Sequence, residues 1–122
     1  MSETKTAIFP SSGPYTPGIV SGGFLFIAGQ VGMKADGTIG ATIEEQTQLV
    51  IENLGNILRA AGCDFKDVVK ATTYITKPEY LQAYNKIYME YFPEPRPARA
   101  TVIAGLVDEK FWIEIEAIAK LP

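Results

Sequence analysis

Arg99, Glu114 and Glu116 stand among apolar neighbours near the end of the chain, in Pro97-Ala98-Arg99-Ala100-Thr101-Val102-Ile103-Ala104 and Phe111-Trp112-Ile113-Glu114-Ile115-Glu116-Ala117-Ile118-Ala119. A guanidinium presents a planar fork that matches a carboxylate, and a glutamate can hold a water and take its proton. Such residues could bind and hydrate a small organic anion, or form an ion pair that a partner surface buries. The chain has no histidine and one cysteine, Cys63. That composition excludes serine–histidine and cysteine–histidine catalysis and any histidine-ligated metal. Proton traffic must run through Glu, Asp, Lys, Tyr or water.

Strand side chains alternate between two faces, so a period of two decides which of these groups can meet. The stretch 97–120 reads as two strands joined by a short polar turn. In the first strand Ala98, Ala100, Val102 and Ala104 form one face and Arg99, Thr101 and Ile103 the other. In the second, Phe111, Ile113, Ile115, Ala117 and Ala119 oppose Trp112, Glu114, Glu116 and Ile118. Pairing the two apolar sets over the core predicts a hairpin in which Arg99, Thr101, Glu114 and Glu116 share the opposite face.

Upstream, Thr4–Phe9 is read as an edge strand, and the loop Ser11–Gly18 carries Tyr15 at its centre. Gly22-Gly23 predicts a two-residue hairpin turn between strands 19–21 and 24–28, because both positions can take positive φ. Gly29 at that strand's end marks a bulge or a close approach by a ligand or backbone. Thr42–Ala61 is the clearest helix. Thr42 and Glu45 make a capping box, Gly62 is a natural C′ residue, and Cys63 is placed to fold back on the helix. Gly55 inside it predicts close packing on the sheet. Val68–Thr76 reads as a strand with Val69, Ala71, Thr73 and Ile75 on one face. A second capping box, Thr76 and Glu79, is expected to open a helix whose stripe is Leu81, Tyr84, Ile87, Tyr88, Tyr91 and Phe92; Asn85 flanks it.

These elements predict one α+β domain spanning 1–122, with two helices on one face of a mixed or mostly antiparallel sheet. Each helix has one apolar stripe, so the other sheet face lacks cover within the chain. A half-apolar face of that kind is expected to be buried by further copies, in a homo-oligomer with sites near the subunit boundary. The net charge of −3 argues against nucleic acid as a partner. No window has the apolar length of a membrane span. The first residues lack the regions of a signal peptide, and a lone cysteine fits a reducing compartment, so the cytoplasm is expected.

Gly13-Pro14-Tyr15, Ala28-Gly29-Gln30, Pro97-Ala98-Arg99-Ala100-Thr101-Val102 and Ile113-Glu114-Ile115-Glu116-Ala117-Ile118-Ala119, with Asn85 and Tyr88 between, occur in this order and spacing. In these segments, and over essentially its whole length, the chain resembles the RidA family, also called the YjgF family. Its best-known members are reactive-intermediate deaminases that hydrolyse imines. The resemblance implies a chorismate mutase-like α+β fold with a six-stranded mixed sheet, assembled as a homotrimer with three clefts between subunits. It also implies that Arg99 binds the substrate carboxylate and that Glu114 positions or activates the attacking water. Tyr15, Gly29, Asn85 and Thr101 would line the cleft. Thr101 stands where many members have cysteine, and Val107 where proline often follows the leucine.

The expected activity is hydrolysis of 2-iminobutanoate and 2-iminopropanoate to 2-oxoacids and ammonia. The electrophilic C=N carbon is reactive already, so the scheme needs neither metal nor organic cofactor. A non-catalytic trimer that senses 2-oxoacids or binds a partner is the alternative, since Arg99 would bind a ketoacid equally well. Endoribonuclease activity is a third reading, poorly matched to the acidic balance.

Overall fold

The computed structural model describes residues 4–122; residues 1–3, the start of the stretch read above as lacking a leader, lie outside them. Six strands and two main helices follow one another: β1 (Thr6–Ile8), β2 (Gly18–Ser21), β3 (Phe24–Val31), α1 (Ile43–Ala60), β4 (Val68–Ile75), α2 (Leu81–Tyr91), β5 (Ala98–Ile103) and β6 (Ile113–Lys120). The strands form one mixed sheet in the order β1-β2-β3-β6-β4-β5. Leu25, Ile27, Ala71, Ile75, Ile113, Ile115, Ala117 and Ala119 turn to the helices and meet Val50, Ile51, Leu54, Leu58, Tyr84 and Tyr88 in one core. The α+β architecture with both helices on one sheet face is therefore as expected.

The local signals explain much of this. Ser21 pairs with Phe24 across Gly22 (φ 60) and Gly23 (φ 82), as the two-glycine turn requires. Thr42 caps α1 by accepting from Glu45 N–H (3.1 Å), while the Glu45 carboxylate accepts from Ala41 N–H (2.8 Å). At the other end Gly62 takes φ 80; its N–H reaches Arg59 O and the Cys63 N–H reaches Leu58 O. This double bond is the Schellman termination, and it folds Cys63 into the core. Burial pushes the Cys63 thiol up, aided by the charge of Asp67, so the thiol is a packing group.

The expected β5–β6 hairpin does not form. β4 lies between the two strands, parallel to β5 and antiparallel to β6. A parallel pair needs a crossover, which α2 supplies, and the segment 104–112 then carries the chain past β4 to β6. Smaller departures have local causes. A register shift between Val68 and Lys70 turns Val69 out to solvent and Val68 into the core. Thr76 does not cap: Lys77 precedes a short 3-10 turn at Pro78–Tyr80, and the Thr76 hydroxyl is buried without a partner. Gly55 makes room for the Phe65 ring rather than for the sheet, since a Cβ there would stand 2.8 Å from Phe65 Cζ. Leu81, at the first turn of α2, is exposed.

Gln46, fully buried on α1, ties the helix to the loop before it and to the distant segment that leads into β6. Its amide donates to Gly40 O (3.1 Å) and Lys110 O (3.0 Å), and its carbonyl accepts from Trp112 N–H (2.8 Å). It thereby seats the entry to β6. Replacing Gln46 with leucine should strand three polar backbone groups and cost about 3 kcal/mol or more, at roughly 1–3 kcal/mol for each unsatisfied group. Urea unfolding of the variant is the check; an unchanged midpoint would refute the assigned role.

Candidate functional site

β5 is aligned so that Ala71 pairs with Arg99, Thr73 with Thr101 and Ile75 with Ile103. Paired residues of neighbouring strands point to the same face. Ala71, Thr73 and Ile75 are core residues, so Arg99, Thr101 and Ile103 also turn to the helix side. On β6, Ile113 and Ile115 occupy that side, while Tyr74 pairs with Glu114 and Thr72 with Glu116 on the open face. Arg99 and Glu114 therefore lie on opposite faces of one sheet. This overturns the expectation that Arg99, Thr101, Glu114 and Glu116 share a face. The alternation within each strand holds; what fails is the assumption that the all-apolar set of β5 faces the core. β5 is an edge strand that exposes both of its sides, so burial did not select its parity.

The helix-side group is built on β5 and α2. The Arg99 guanidinium lies over the Tyr84 and Tyr88 rings, 4.8 and 5.0 Å from their centroids, a cation–π seat. Tyr84 is fully buried and its hydroxyl bonds Thr73 Oγ1 at 2.6 Å. Burial raises the Tyr84 hydroxyl, opposed by Thr73, Arg99 and Thr101. Tyr88 is pushed up to about 12 by burial and by Tyr84, with Arg99 and Arg96 pulling the other way. Arg99 has no carboxylate partner among the described residues. Asn85 Oδ1, Tyr88 OH and Thr101 Oγ1 are all buried and lack a hydrogen-bond partner among the described residues. Unpaired buried polar atoms are costly and uncommon. Here Asn85, Tyr88 and Arg99 line one cavity with Met89, Arg96 and Pro97. Helical spacing alone makes Tyr88 a core residue; its hydroxyl instead borders the cavity.

The open-face group is built on β3, β4 and β6. A register shift between Ile27 and Gln30 bulges β3 at Ala28 and Gly29. A Cβ on Gly29 would collide with the Glu114 carboxylate, standing 2.9 Å from its Cδ. Gly29 thus combines both readings of its position, a bulge and a close approach, and the group approaching is Glu114. Burial raises the Glu114 carboxyl, and the charge of Glu116 adds to the shift. Glu116 accepts from Tyr74 OH at 2.9 Å. Tyr15 is exposed in the loop before β2. Ala28 N–H donates to Pro17 O (2.9 Å), which ties that loop to the bulge.

Around this group the open face has no cover among the described residues. Phe26 and Val102 are exposed on it, Ile118 pairs opposite Phe26, and Ala98 and Ala100 pair opposite Lys70 and Thr72. Ile103 leaves this face with Arg99, and Trp112 stacks on Tyr80 at the sheet's end (6.0 Å between centroids). The structure thus places a guanidinium seated on two tyrosine rings and a carboxyl with raised affinity for its proton on opposite faces of one subunit.

A small α+β protein with a six-stranded mixed sheet, an arginine seated on two tyrosine rings and a separate glutamate is the class that fold and site define. A family model described as Endoribonuclease L-PSP matches residues 4–121. The chain is 43% identical over 110 residues to the mitochondrial protein mmf2 of Schizosaccharomyces pombe, covering 88% of this chain and 87% of that one. It is 40% identical over 119 residues to the 2-iminobutanoate/2-iminopropanoate deaminase of Capra hircus, covering 94% and 86%. The crystal structure of RidA from an Antarctic Psychrobacter superposes with a TM-score of 0.86 at 27% identity, covering 98% of this chain and 100% of the other. The chain belongs to the Endoribonuclease L-PSP family, which includes the RidA reactive-intermediate deaminases. No helix among the described residues is long and apolar enough to cross a membrane.

Proposed function

We propose that the protein hydrolyses 2-imino acids, 2-iminobutanoate and 2-iminopropanoate among them, to 2-oxoacids and ammonia. The observation that carries this reading is Arg99, without a carboxylate partner among the described residues, sharing one cavity with Asn85 and Tyr88, whose buried Oδ1 and hydroxyl have no hydrogen-bond partner among those residues. We also propose that the protein works as a homotrimer. In it, the Arg99 side of one subunit meets the Glu114 face of the next, with Gly29 and Tyr15 on the Glu114 side and Asn85 and Thr101 on the Arg99 side. Opposite faces of one sheet cannot converge on one small molecule, so a second copy is the simplest way to join them.

In this scheme the Arg99 fork binds the substrate carboxylate through two charge-assisted hydrogen bonds, held flat by the tyrosine rings. Anchoring the carboxylate orients the C=N carbon toward a water at Glu114. Glu114 accepts a proton from that water as its oxygen bonds to the carbon, and the imine nitrogen gains a proton. Collapse of the tetrahedral carbinolamine breaks the C–N bond, releasing ammonia and the 2-oxoacid. One water is consumed, and Glu114 returns its proton by the end of the cycle. A raised carboxyl suits this exchange because its proton affinity lies nearer the working pH.

The test couples the protein to a threonine dehydratase and follows 2-oxobutanoate release while semicarbazide competes for the imine. Faster ketoacid release at the expense of the semicarbazone is expected. Tight 2-oxoacid binding in calorimetry without such acceleration would favour the sensing alternative. The family description carries a nuclease label, but a net charge of −3 supplies no footprint for RNA. The buried free thiol is consistent with a reducing compartment, and we assign the protein to the cytoplasm on that ground.

Placing a charge on the open face should break the assembly. Phe26→Lys and Ile118→Asp are expected to convert the trimer to monomers in sedimentation velocity and to lower kcat/KM by about a hundredfold or more, since each site loses half its groups. A trimer that survives both substitutions would count against the shared site.

A further inference from the structure

The Arg99 cavity carries a second guanidinium. Arg96 lines the same cavity of about 340 Å³ with Asn85, Tyr88, Met89, Pro97 and Arg99. Its Nε donates to Phe92 O at 3.2 Å, which roots the side chain at the end of α2. Among the described residues the one carboxylate within 4 Å of it is Glu94, 3.4 Å away and 82% exposed, against 38% exposure for Arg96. Glu94 is not among the residues that line the cavity. Both guanidiniums act on the same buried hydroxyl, since Arg99 and Arg96 each lower the proton affinity of Tyr88. That hydroxyl is on a residue only 2% exposed and has no hydrogen-bond partner. Two cations, an unpaired buried hydroxyl and an unpaired Asn85 oxygen border one small space with no carboxylate among its lining residues.

A substrate with one carboxylate uses Arg99 and leaves Arg96 with only the exposed Glu94 and the Phe92 carbonyl. We propose that this cavity takes 2-imino and 2-oxo acids bearing a second carboxylate, with Arg99 binding the carboxylate beside the reacting carbon and Arg96 the distal one. The inference rests on the reading of Arg99 as the carboxylate anchor and extends it to substrate class. Met89 and Pro97 give the intervening methylenes an apolar wall. Arg96 is a specificity-determining residue here, because it acts at the end of the molecule remote from the C=N carbon.

Calorimetry on the assembled wild-type protein tests this with pairs of equal carbon number. The pairs are 2-oxoglutarate against 2-oxopentanoate, and 2-oxoadipate against 2-oxohexanoate. At least one diacid should bind about threefold to fivefold more tightly than its partner, the range of a half-exposed ion pair. The preference should shrink as salt rises from 20 to 300 mM. Arg96→Gln should erase the preference while leaving 2-oxopentanoate affinity within about twofold, and Arg96→Lys should keep part of it. Equal binding of acid and diacid by the wild type overturns the proposal and leaves the anchor role of Arg99 standing, as does a preference that persists in Arg96→Gln. Failure of all four acids to bind removes both the anchor and the proposal. The wild-type comparison needs no variant, so a misfolded Arg96→Gln cannot decide the result.

Discussion

Replacing Arg99 with alanine is expected to lower kcat/KM for 2-iminobutanoate by about a thousandfold, because two charge-assisted hydrogen bonds of roughly 2 kcal/mol each are lost from the transition state. The fold should be indifferent to the change. Arg99 is exposed, has no ion-pair partner among the described residues, and rests on tyrosine rings that other contacts hold in place. Tyr84 is tied to Thr73, and Tyr88 is stacked on Phe92 with centroids 4.2 Å apart. Arg99→Lys keeps the charge and loses the fork, so it should recover only a small part of the rate. Initial rates in the coupled assay, a calorimetric Tm and light scattering together decide the matter. A collapsed Tm, or a trimer that dissociates in Arg99→Ala, would assign the residue to an interfacial ion pair instead.

The second large effect is expected at Glu114. Glu114→Gln should reduce kcat by about a thousandfold, within the range typical of a general base. In the wild type, activity should rise with pH through a midpoint above the ordinary glutamate value of 4.5, because burial and then Glu116 raise the Glu114 carboxyl. The variant should lose that ascending limb. Stability has the opposite sign. The folded subunit holds the Glu114 proton more tightly than the unfolded chain does, so this group's contribution is fully present below the unfolded pKa. It is lost as pH rises through the raised folded value. Glutamine imitates the protonated form and escapes that loss. Compared in the Phe26→Lys background, where no neighbouring Arg99 faces Glu114, the variant should therefore have a Tm at pH 7 equal to or above that of its parent, and the assembled variant should be nearly inactive. A pH–rate profile with its limb intact in Glu114→Gln would reassign the proton transfer.

These effects depend on features of unequal visibility in the chain. The α1 caps were plain because Thr42, Glu45 and Gly62 act within a few residues of the backbone groups they serve. The Gly22-Gly23 turn was equally local. Gln46 was not visible. A polar residue on a helix reads as a solvated face, and its partners at Lys110 and Trp112 lie 64 and 66 residues away. The bulge at Val69 was hidden for a different reason: one extra residue inverts a strand's faces without altering its composition. Gly29 reads as a bulge or a close approach, but the group that approaches, Glu114, comes from β6, far along the chain.

The two strands that carry the site draw the line most sharply. Alternation is a property of the strand itself, so sequence alone determined that Arg99 travels with Thr101 and Ile103, and Glu114 with Glu116 and Ile118. It also determined that two helices with one stripe each would leave one sheet face bare. Which set turns to the helices is settled by hydrogen-bonded pairing with a neighbour, and only the tertiary structure decided that. On β6 the contrast between Ile113, Ile115, Ala117 and Ala119 and their alternates, charged except for Ile118, leaves one choice. On β5 neither set is buried, so hydrophobicity exerts little pull. The crossover through α2 lays β5 beside β4, with Arg99 opposite Ala71 and beneath the tyrosines. That nonlocal pairing sends Arg99 and Glu114 to opposite faces of the sheet.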